Sequence, residues 1–166
     1  MPAATPVRPT RSNVLVLLGT SAGREGVARS IHSARPRPRG AYHQFDCRRE
    51  ADALRLALCR WANRDHRLRE SEAFLEDRAC TLFVNSVDAL TNEDQELLLR
   101  LVDRLAETSL VGEACPLGLL ITGSACDLES EVSAGRFLPQ LYDSLDKVRV
   151  VLSDSISQKE LTEWPA

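Results

Sequence analysis

The pattern of short apolar runs in this chain constrains its fold more than any other feature. Four runs are apolar almost throughout and a fifth is mixed; they occupy residues 13–18, 42–47, 80–84, 117–122 and 148–152. Runs that do not alternate between apolar and polar residues are typical of parallel strands, because such strands are buried on both faces. The sequence therefore predicts an α/β fold, a three-layer αβα sandwich around a five-stranded parallel sheet with right-handed crossovers.

Helical spacing of apolar residues between the runs predicts the covering layers. In residues 24–33, for example, Val27 and Ile31 fall on one face. Thr91 is predicted to begin another helix, with its hydroxyl accepting a hydrogen bond from the amide of Asp94. The remaining predicted helices cover residues 50–63, 65–77, 128–134 and 138–145.

Length and composition indicate one globular domain. With 166 residues, 43% of them hydrophobic and 27% charged, the chain can form a single core with an ordinary surface. Residues 13–152 carry every predicted strand and are expected to form the domain. Residues 1–12 are expected to be disordered, and residues 153–166 to form a polar tail. No run is long enough to span a membrane and no secretory signal is present, so we expect a cytoplasmic location.

The cysteines do not form a recognisable metal site. Five of them are widely spaced, no Cys-x-x-Cys pair occurs, and the nearest histidine–cysteine pair is His43 and Cys47. Zinc sites are usually assembled from closely spaced pairs of such residues. We therefore expect no bound metal, and thiols that stay reduced as they do in the cytosol.

Positive charge is concentrated near the start of the sequence. Residues 1–40 contain seven arginines and one glutamate, although the formal net charge of the whole chain is −3. The densest patch, RPRPR at residues 35–39, could contact phosphate or an acidic partner, or it could be a solvated loop stiffened by its prolines. It contains no aromatic residue on which bases could stack, and no recognition-helix module is visible, so direct DNA binding is not expected.

The segment from Val14 to His32 has the layout of a phosphate-binding loop, with a strand, a turn of small residues and a helix. In such a loop, backbone amides surround a phosphate and a lysine bridges its oxygens. Here Gly19 and Gly23 are separated by three residues instead of four, and an arginine stands where the lysine belongs. The alternative is an ordinary tight turn whose small residues only let the backbone bend. The candidate nucleotide-binding residues of this degenerate P-loop are Gly19, Ser21, Gly23 and Arg24.

Six sequence blocks in the correct order resemble the central AAA+ domain of bacterial enhancer-binding proteins, which activate sigma-54 RNA polymerase. GREGVARSIH at residues 23–32 is similar to the family's GKExVARxIH, and CTLFVNSVDAL at residues 80–90 is similar to its GTLFLDEIxxL. The resemblance implies the α/β subdomain of a P-loop NTPase, without the helical lid that should follow. It adds Glu25 to the candidate loop residues, because the family often has glutamate there. The other blocks lie at residues 45–47, 95–101, 127–137 and 148–152.

The resemblance also implies that parts of the catalytic machinery are missing. Where the family has an aspartate that holds magnesium and a glutamate that activates water, this chain has Asn85 and Ser86, a degenerate Walker B motif. The loop that contacts sigma-54 is absent between residues 47 and 80. The family's sensor pair and arginine fingers are also replaced, at Ser124, Ala125, Leu138 and Ser144.

Three charged residues lie near these positions, one of them a candidate substitute base and two of them expected ion-pair partners. Asp88 could serve as a substitute base, but it lies where the chain should be leaving the sheet. Arg136 and Arg149 are close to the finger positions, and we expect each of them to be a surface ion-pair partner.

The surviving scaffold and the missing catalytic groups together predict a function without turnover. We expect a degenerate AAA+ domain that acts as a non-hydrolysing regulatory or protein-interaction module in transcription regulation, with no cofactor. Its expected partner is a protein, either a related AAA+ subunit or a transcription regulator. One alternative is an ATP or ADP sensor without strong magnesium coordination. A further alternative is an active sigma-54-dependent ATPase.

Overall fold

The computed structural model describes residues 13–35, 41–62, 81–111 and 118–153. The segments predicted to be a disordered start (1–12), a helix (65–77) and most of a polar tail (154–166) lie outside these ranges. The elements are β1 Val14–Leu17, α1 Ser21–Ser33, β2 Tyr42–Asp46, α2 Ala51–Ala62, β3 Thr81–Asn85, a short 3-10 turn Val87–Ala89, α3 Asn92–Val111, β4 Leu119–Ser124, α4 Leu128–Ser133, α5 Pro139–Leu145 and β5 Val148–Val151.

The five strands form one parallel sheet in the order β2-β3-β4-β1-β5. This confirms the predicted α/β architecture. Because all strands point the same way, the segments that follow β1, β3 and β4 meet at one edge of the sheet. Ligands of open parallel sheets bind at this carboxyl edge, so the fold brings the candidate loop and the candidate Walker B positions together.

Apolar side chains cover both faces of the sheet. Leu15 and Leu17 of β1 point into a core shared with α2, α3 and α5, whereas Val14 and Val16 point into a second core that α1 covers. All four residues of β1 are buried. The continuous apolar run predicted this two-sided burial, because an alternating strand would have left one face in water.

Helix α1 begins three residues earlier than the predicted residue 24. Thr20 takes the N-cap position, and its side chain accepts a hydrogen bond from the amide of Gly23 at 3.0 Å. Threonine is a favoured N-cap residue, but Ser21 and Gly23 in the first turn are weak helix formers, so the sequence pattern did not indicate a helix there. The predicted cap of α3 is confirmed, since the amide of Asp94 donates to Thr91 Oγ1 at 3.3 Å.

Among the helices of the described ranges, none combines the length and the apolar character that a membrane span requires.

Candidate functional site

The carboxyl edge of the sheet joins two of the predicted site residues directly. The Nε of Arg24 donates a hydrogen bond to Oδ1 of Asn85 at 2.9 Å. Arg24 is only 3% exposed and Asn85 only 1% exposed, so the contact lies inside the domain. Arg24 shares the buried face of α1 with Val27 and Ile31, three and seven residues further along the helix. The arginine at the first turn of α1 therefore points inward.

The guanidinium of Arg24 also closes the turn that follows β1. Its Nη1 donates to the carbonyl oxygens of Leu18 at 3.1 Å and of Gly19 at 2.9 Å. Both residues have a φ of 65°, the left-handed region. Glycine adopts this region freely, but for a residue such as leucine it costs about 1–2 kcal/mol. The contacts with Arg24 hold this strained backbone in place.

Several amides around the turn are already used within the protein. The amide of Leu18 donates to the carbonyl of Ser124 at 2.8 Å, the amide of Gly23 donates to the Thr20 hydroxyl, and the amide of Arg24 donates to the Thr20 carbonyl at 3.0 Å. In a working P-loop, the amides of the turn and of the first helical residues are the groups that surround a phosphate. Here these three have internal acceptors instead.

Asn85 connects the end of β3 to the start of α1. Besides the bond from Arg24, its Oδ1 accepts from the amide of Ser86 at 3.0 Å, and its Nδ2 donates to Ser21 Oγ at 2.9 Å. Ser86 is buried and has a φ of 61°. The candidate Walker B positions thus contribute a neutral amide and a buried hydroxyl to this edge of the sheet.

Two residues that the sequence analysis did not single out enclose the site. A side chain at Gly123 of β4 would lie 2.7 Å from Asn85 Oδ1 and 3.3 Å from Cδ of Arg24. On the other side, a side chain at Gly19 would lie 2.8 Å from Cβ of Leu152. Glycine inside a strand often marks such a close approach, so Gly123 carried a signal. Leu152 carried none, because only the tertiary fold brings it to the turn.

Asp88 joins three segments at the same edge. Its side chain is 6% exposed and accepts hydrogen bonds from Ser124 Oγ at 3.0 Å, from the amide of Ala125 at 3.2 Å and from Arg48 at 3.2 Å. Burial raises the pKa of Asp88, but these hydrogen bonds outweigh it and leave the pKa below its ordinary value. A carboxylate stabilised in this way is a poorer base than an unperturbed one.

The buried cation at this edge is influenced by the same carboxylate. Burial lowers the pKa of Arg24, and the charge of Asp88 opposes that shift. A guanidinium nevertheless keeps its charge inside proteins. The edge therefore contains a permanent positive charge where a P-loop would require a lysine able to reach a phosphate.

The remaining candidate residues lie in ordinary surface contacts. Glu25 forms an ion pair with Arg29, one turn further along α1, at 3.2 Å. The two arginines near the finger positions are paired within the chain, as predicted. Arg136 contacts Glu131 at 2.8 Å, and Arg149 donates to Asp146 through Nε at 3.0 Å.

Comparison with known proteins points to one family. The model of the sigma-54 interaction domain matches residues 1–151. The nitrogen assimilation regulatory protein NtrX of Azorhizobium caulinodans is 27% identical over 157 residues, which cover 93% of this chain and 35% of that protein. The transcriptional regulatory protein ZraR of Klebsiella oxytoca is 30% identical over 155 residues, covering 88% of this chain and 34% of that protein. The chain thus spans about a third of the length of these relatives.

Solved structures agree with the fold. NtrX from Brucella abortus, solved in complex with ATP, superposes with a TM-score of 0.63 at 23% identity, covering 86% of this chain and 33% of that one. The P-loop NTPase domain of a sigma-54 transport activator from E. coli gives a TM-score of 0.50 at 16% identity, with 87% and 85% covered. At these identities the likeness establishes the fold and nothing further.

Proposed function

This chain belongs to the sigma-54 interaction domain family, and from that premise we propose that it is a non-hydrolysing AAA+ domain that acts as a regulatory or protein-interaction module. Members of this family are normally ATPases that work in transcription regulation. The proposal is that this member keeps the fold of the family and its role in transcription regulation but does not turn over ATP. Its partner is then a protein of the sigma-54 machinery or a related AAA+ subunit.

The hydrogen bond between Arg24 and Asn85 is the observation that carries this proposal. Phosphoryl transfer on this fold needs a mobile cation near the phosphates and an anionic group that holds magnesium. Arg24 is held away from solvent by three acceptors, and Asn85 has no charge to offer a metal. Each group satisfies the other, so neither is free for nucleotide.

The residue at the expected position of the catalytic base, Ser86, also supports a domain that does not hydrolyse ATP. Activation of water requires a carboxylate or another group of suitable basicity, and Ser86 offers only a buried hydroxyl. The nearby carboxylate of Asp88 is already hydrogen-bonded by Ser124, Ala125 and Arg48. Loss of a single charge-stabilising group from such a site can lower the rate by ~10³ or more. The combined losses leave no group to carry the reaction.

A second candidate function is an ATP or ADP sensor without turnover. It is favoured by α1, a helix of 13 residues whose N-terminus begins directly after the turn that follows β1, because helix N-termini attract phosphate groups. For nucleotide to bind, the Arg24 side chain would have to leave its three acceptors.

Two measurements on the purified chain separate these candidates. Release of phosphate from magnesium-ATP should equal the blank, and calorimetric titration with ATP and ADP up to millimolar concentration should give no binding heat. A matched Arg24→Lys variant, which restores the family's lysine, should also release no phosphate because Asn85 and Ser86 are unchanged. Phosphate release by the natural chain would contradict the proposal, and binding heat without release would favour the sensor.

A third measurement tests the interaction module. The tagged chain, mixed with a catalytically competent sigma-54 activator or with sigma-54 RNA polymerase, should retain one of them through a size-exclusion column. Arg149→Glu, on the exposed side of the edge strand β5, serves as a surface variant for mapping the contact. Recovery of the chain alone in both mixtures would count against a role beside this machinery.

A further inference from the structure

We infer that the interior of the turn between β1 and α1 is a cation site, and that its resident ligand is the guanidinium of Arg24 itself. The inference rests on one part of the proposed function, namely that this turn does not process nucleotide. It adds the chemical class of ligand that the turn does accept: a planar, guanidinium-type cation rather than a phosphate.

The acceptors around the guanidinium define the polarity of the site. The carbonyl oxygens of Leu18 and Gly19 and the Oδ1 of Asn85 all lie 2.9–3.1 Å from nitrogen atoms of Arg24. Oxygen atoms turned into a site attract a cation and repel the oxygens of a phosphate. A phosphate-binding turn has the opposite arrangement, with amide donors turned inward.

The backbone conformation explains why these oxygens face inward. Leu18 and Gly19 share a φ of 65°, and both of their carbonyls accept from the same nitrogen of Arg24. At the same time the Leu18 amide is directed to the neighbouring strand, where the carbonyl of Ser124 accepts it. The left-handed pair of residues therefore presents two carbonyls to one point, which is the requirement for binding a single hydrogen-bond donor group.

The shape of the acceptor set selects guanidinium over ammonium. Nε and Nη1 of Arg24 donate in different directions, one to β3 and one to the end of β1. A planar group with several fixed donors satisfies both directions at once, whereas an ammonium ion is a compact point charge with a stronger hydration shell. The three acceptors are neutral, and the charge of Asp88 acts on the guanidinium from a distance.

The site has room for one ligand only. Cδ of Arg24 and Oδ1 of Asn85 leave no space for even a methyl group at Gly123, and Leu152 fills the space beside Gly19. Any other occupant must displace the Arg24 side chain. The natural chain is thus occupied by its own ligand, and removal of that side chain should open the site.

Chemical rescue of Arg24→Ala tests the inference. We expect this variant to unfold at a lower temperature than the natural chain, and ethylguanidinium, which restores the missing atoms, to raise the midpoint again. At tenfold the dissociation constant the rise should be roughly 3–6 °C. Ethylammonium at the same concentration, sodium chloride at the same ionic strength and inorganic pyrophosphate should give no comparable rise.

Two control proteins test whether the rescue is specific to the site of Arg24. Arg29→Ala removes an exposed arginine from the same helix and should show no rescue by ethylguanidinium, and neither should the natural chain. If Arg24→Ala does not fold alone, the yield of folded protein after refolding with each additive replaces the melting temperature, with the same ranking expected. Equal rescue by ethylammonium or salt, or stabilisation by pyrophosphate, would overturn the inference. Phosphate release is measured separately, so the two proposals fail independently.

Discussion

Gly123→Ala is the sharpest test of the packing around Arg24. The added methyl group would lie 2.7 Å from Oδ1 of Asn85, 3.3 Å from Cδ of Arg24 and 3.3 Å from the Phe83 ring. The shortest of these distances is below normal contact, and the atom concerned is a hydrogen-bond acceptor held from two sides. Asn85 must therefore move, and its bond with Nε of Arg24 must lengthen or break.

The expected cost can be estimated from the two effects together. Overpacking of a buried site costs about 1–3 kcal/mol, and loss of a hydrogen bond from a charged donor costs about 1.5–3 kcal/mol. We expect the free energy of unfolding of Gly123→Ala to fall by about 2.5–6 kcal/mol. For a chain of this size that corresponds to a melting temperature lower by roughly 5–24 °C.

Gly26→Ala provides the matched control. Gly26 lies in α1 and has no atom within 4 Å of the position of an added methyl group. Alanine is a better helix former than glycine by about 0.5–1 kcal/mol, so this identical substitution should stabilise the protein. Urea unfolding followed by circular dichroism measures both variants, and their slopes with denaturant should match that of the natural chain. A neutral or stabilising effect of Gly123→Ala would refute the described packing.

Three further substitutions test the same edge of the sheet. The pKa of Asp88 in the folded chain lies below its ordinary value of 3.8. The charged carboxylate therefore stabilises the fold above that pH, and this stabilisation is lost as the pH falls through the folded pKa. Asp88→Asn should reduce this acid-dependent loss of stability in unfolding curves recorded from pH 5 to pH 2. Asn85→Asp should leave phosphate release at the blank, because the new carboxylate pairs with Arg24 before it can hold magnesium; release above the blank would argue against the internal occupant. Thr20→Ala removes the cap of α1 and should lower the free energy of unfolding by about 1 kcal/mol, with Thr91→Ala as the equivalent change on α3 and thermal melts as the measurement.

The strands could be predicted from the sequence because the information that forms a strand is local, whereas the strand order β2-β3-β4-β1-β5 was not predicted. The run at residues 14–17 is apolar without alternation, and burial on both faces follows from that pattern alone. The cap at Thr91 likewise depends on an amide three residues away. In both cases, the residues that determine the structure lie within one element.

The interior of the site could not be derived in this way. Arg24 and its partner Asn85 are 61 residues apart, and Gly123 of β4 and Leu152, which follows β5, reach the same edge of the sheet. Periodicity within a helix or strand gives no information about which residues meet across the sheet. The prediction also placed the start of α1 three residues too late, at residue 24.

One feature of the sequence did connect Arg24 with Asn85. By the resemblance to the family pattern, Arg24 stands where the family has lysine and Asn85 stands where it has aspartate, so the residues at two oppositely charged positions differ together. Lysine and aspartate can each bind a part of a magnesium nucleotide, whereas arginine and asparagine bind each other through a neutral acceptor and a planar donor. Restoring only one of them leaves either a carboxylate neutralised by a buried guanidinium or a lysine facing an amide. Under the proposed function, we therefore expect ATP turnover to require both changes at once, together with a base at Ser86 and a turn whose Leu18 and Gly19 carbonyls no longer face inward.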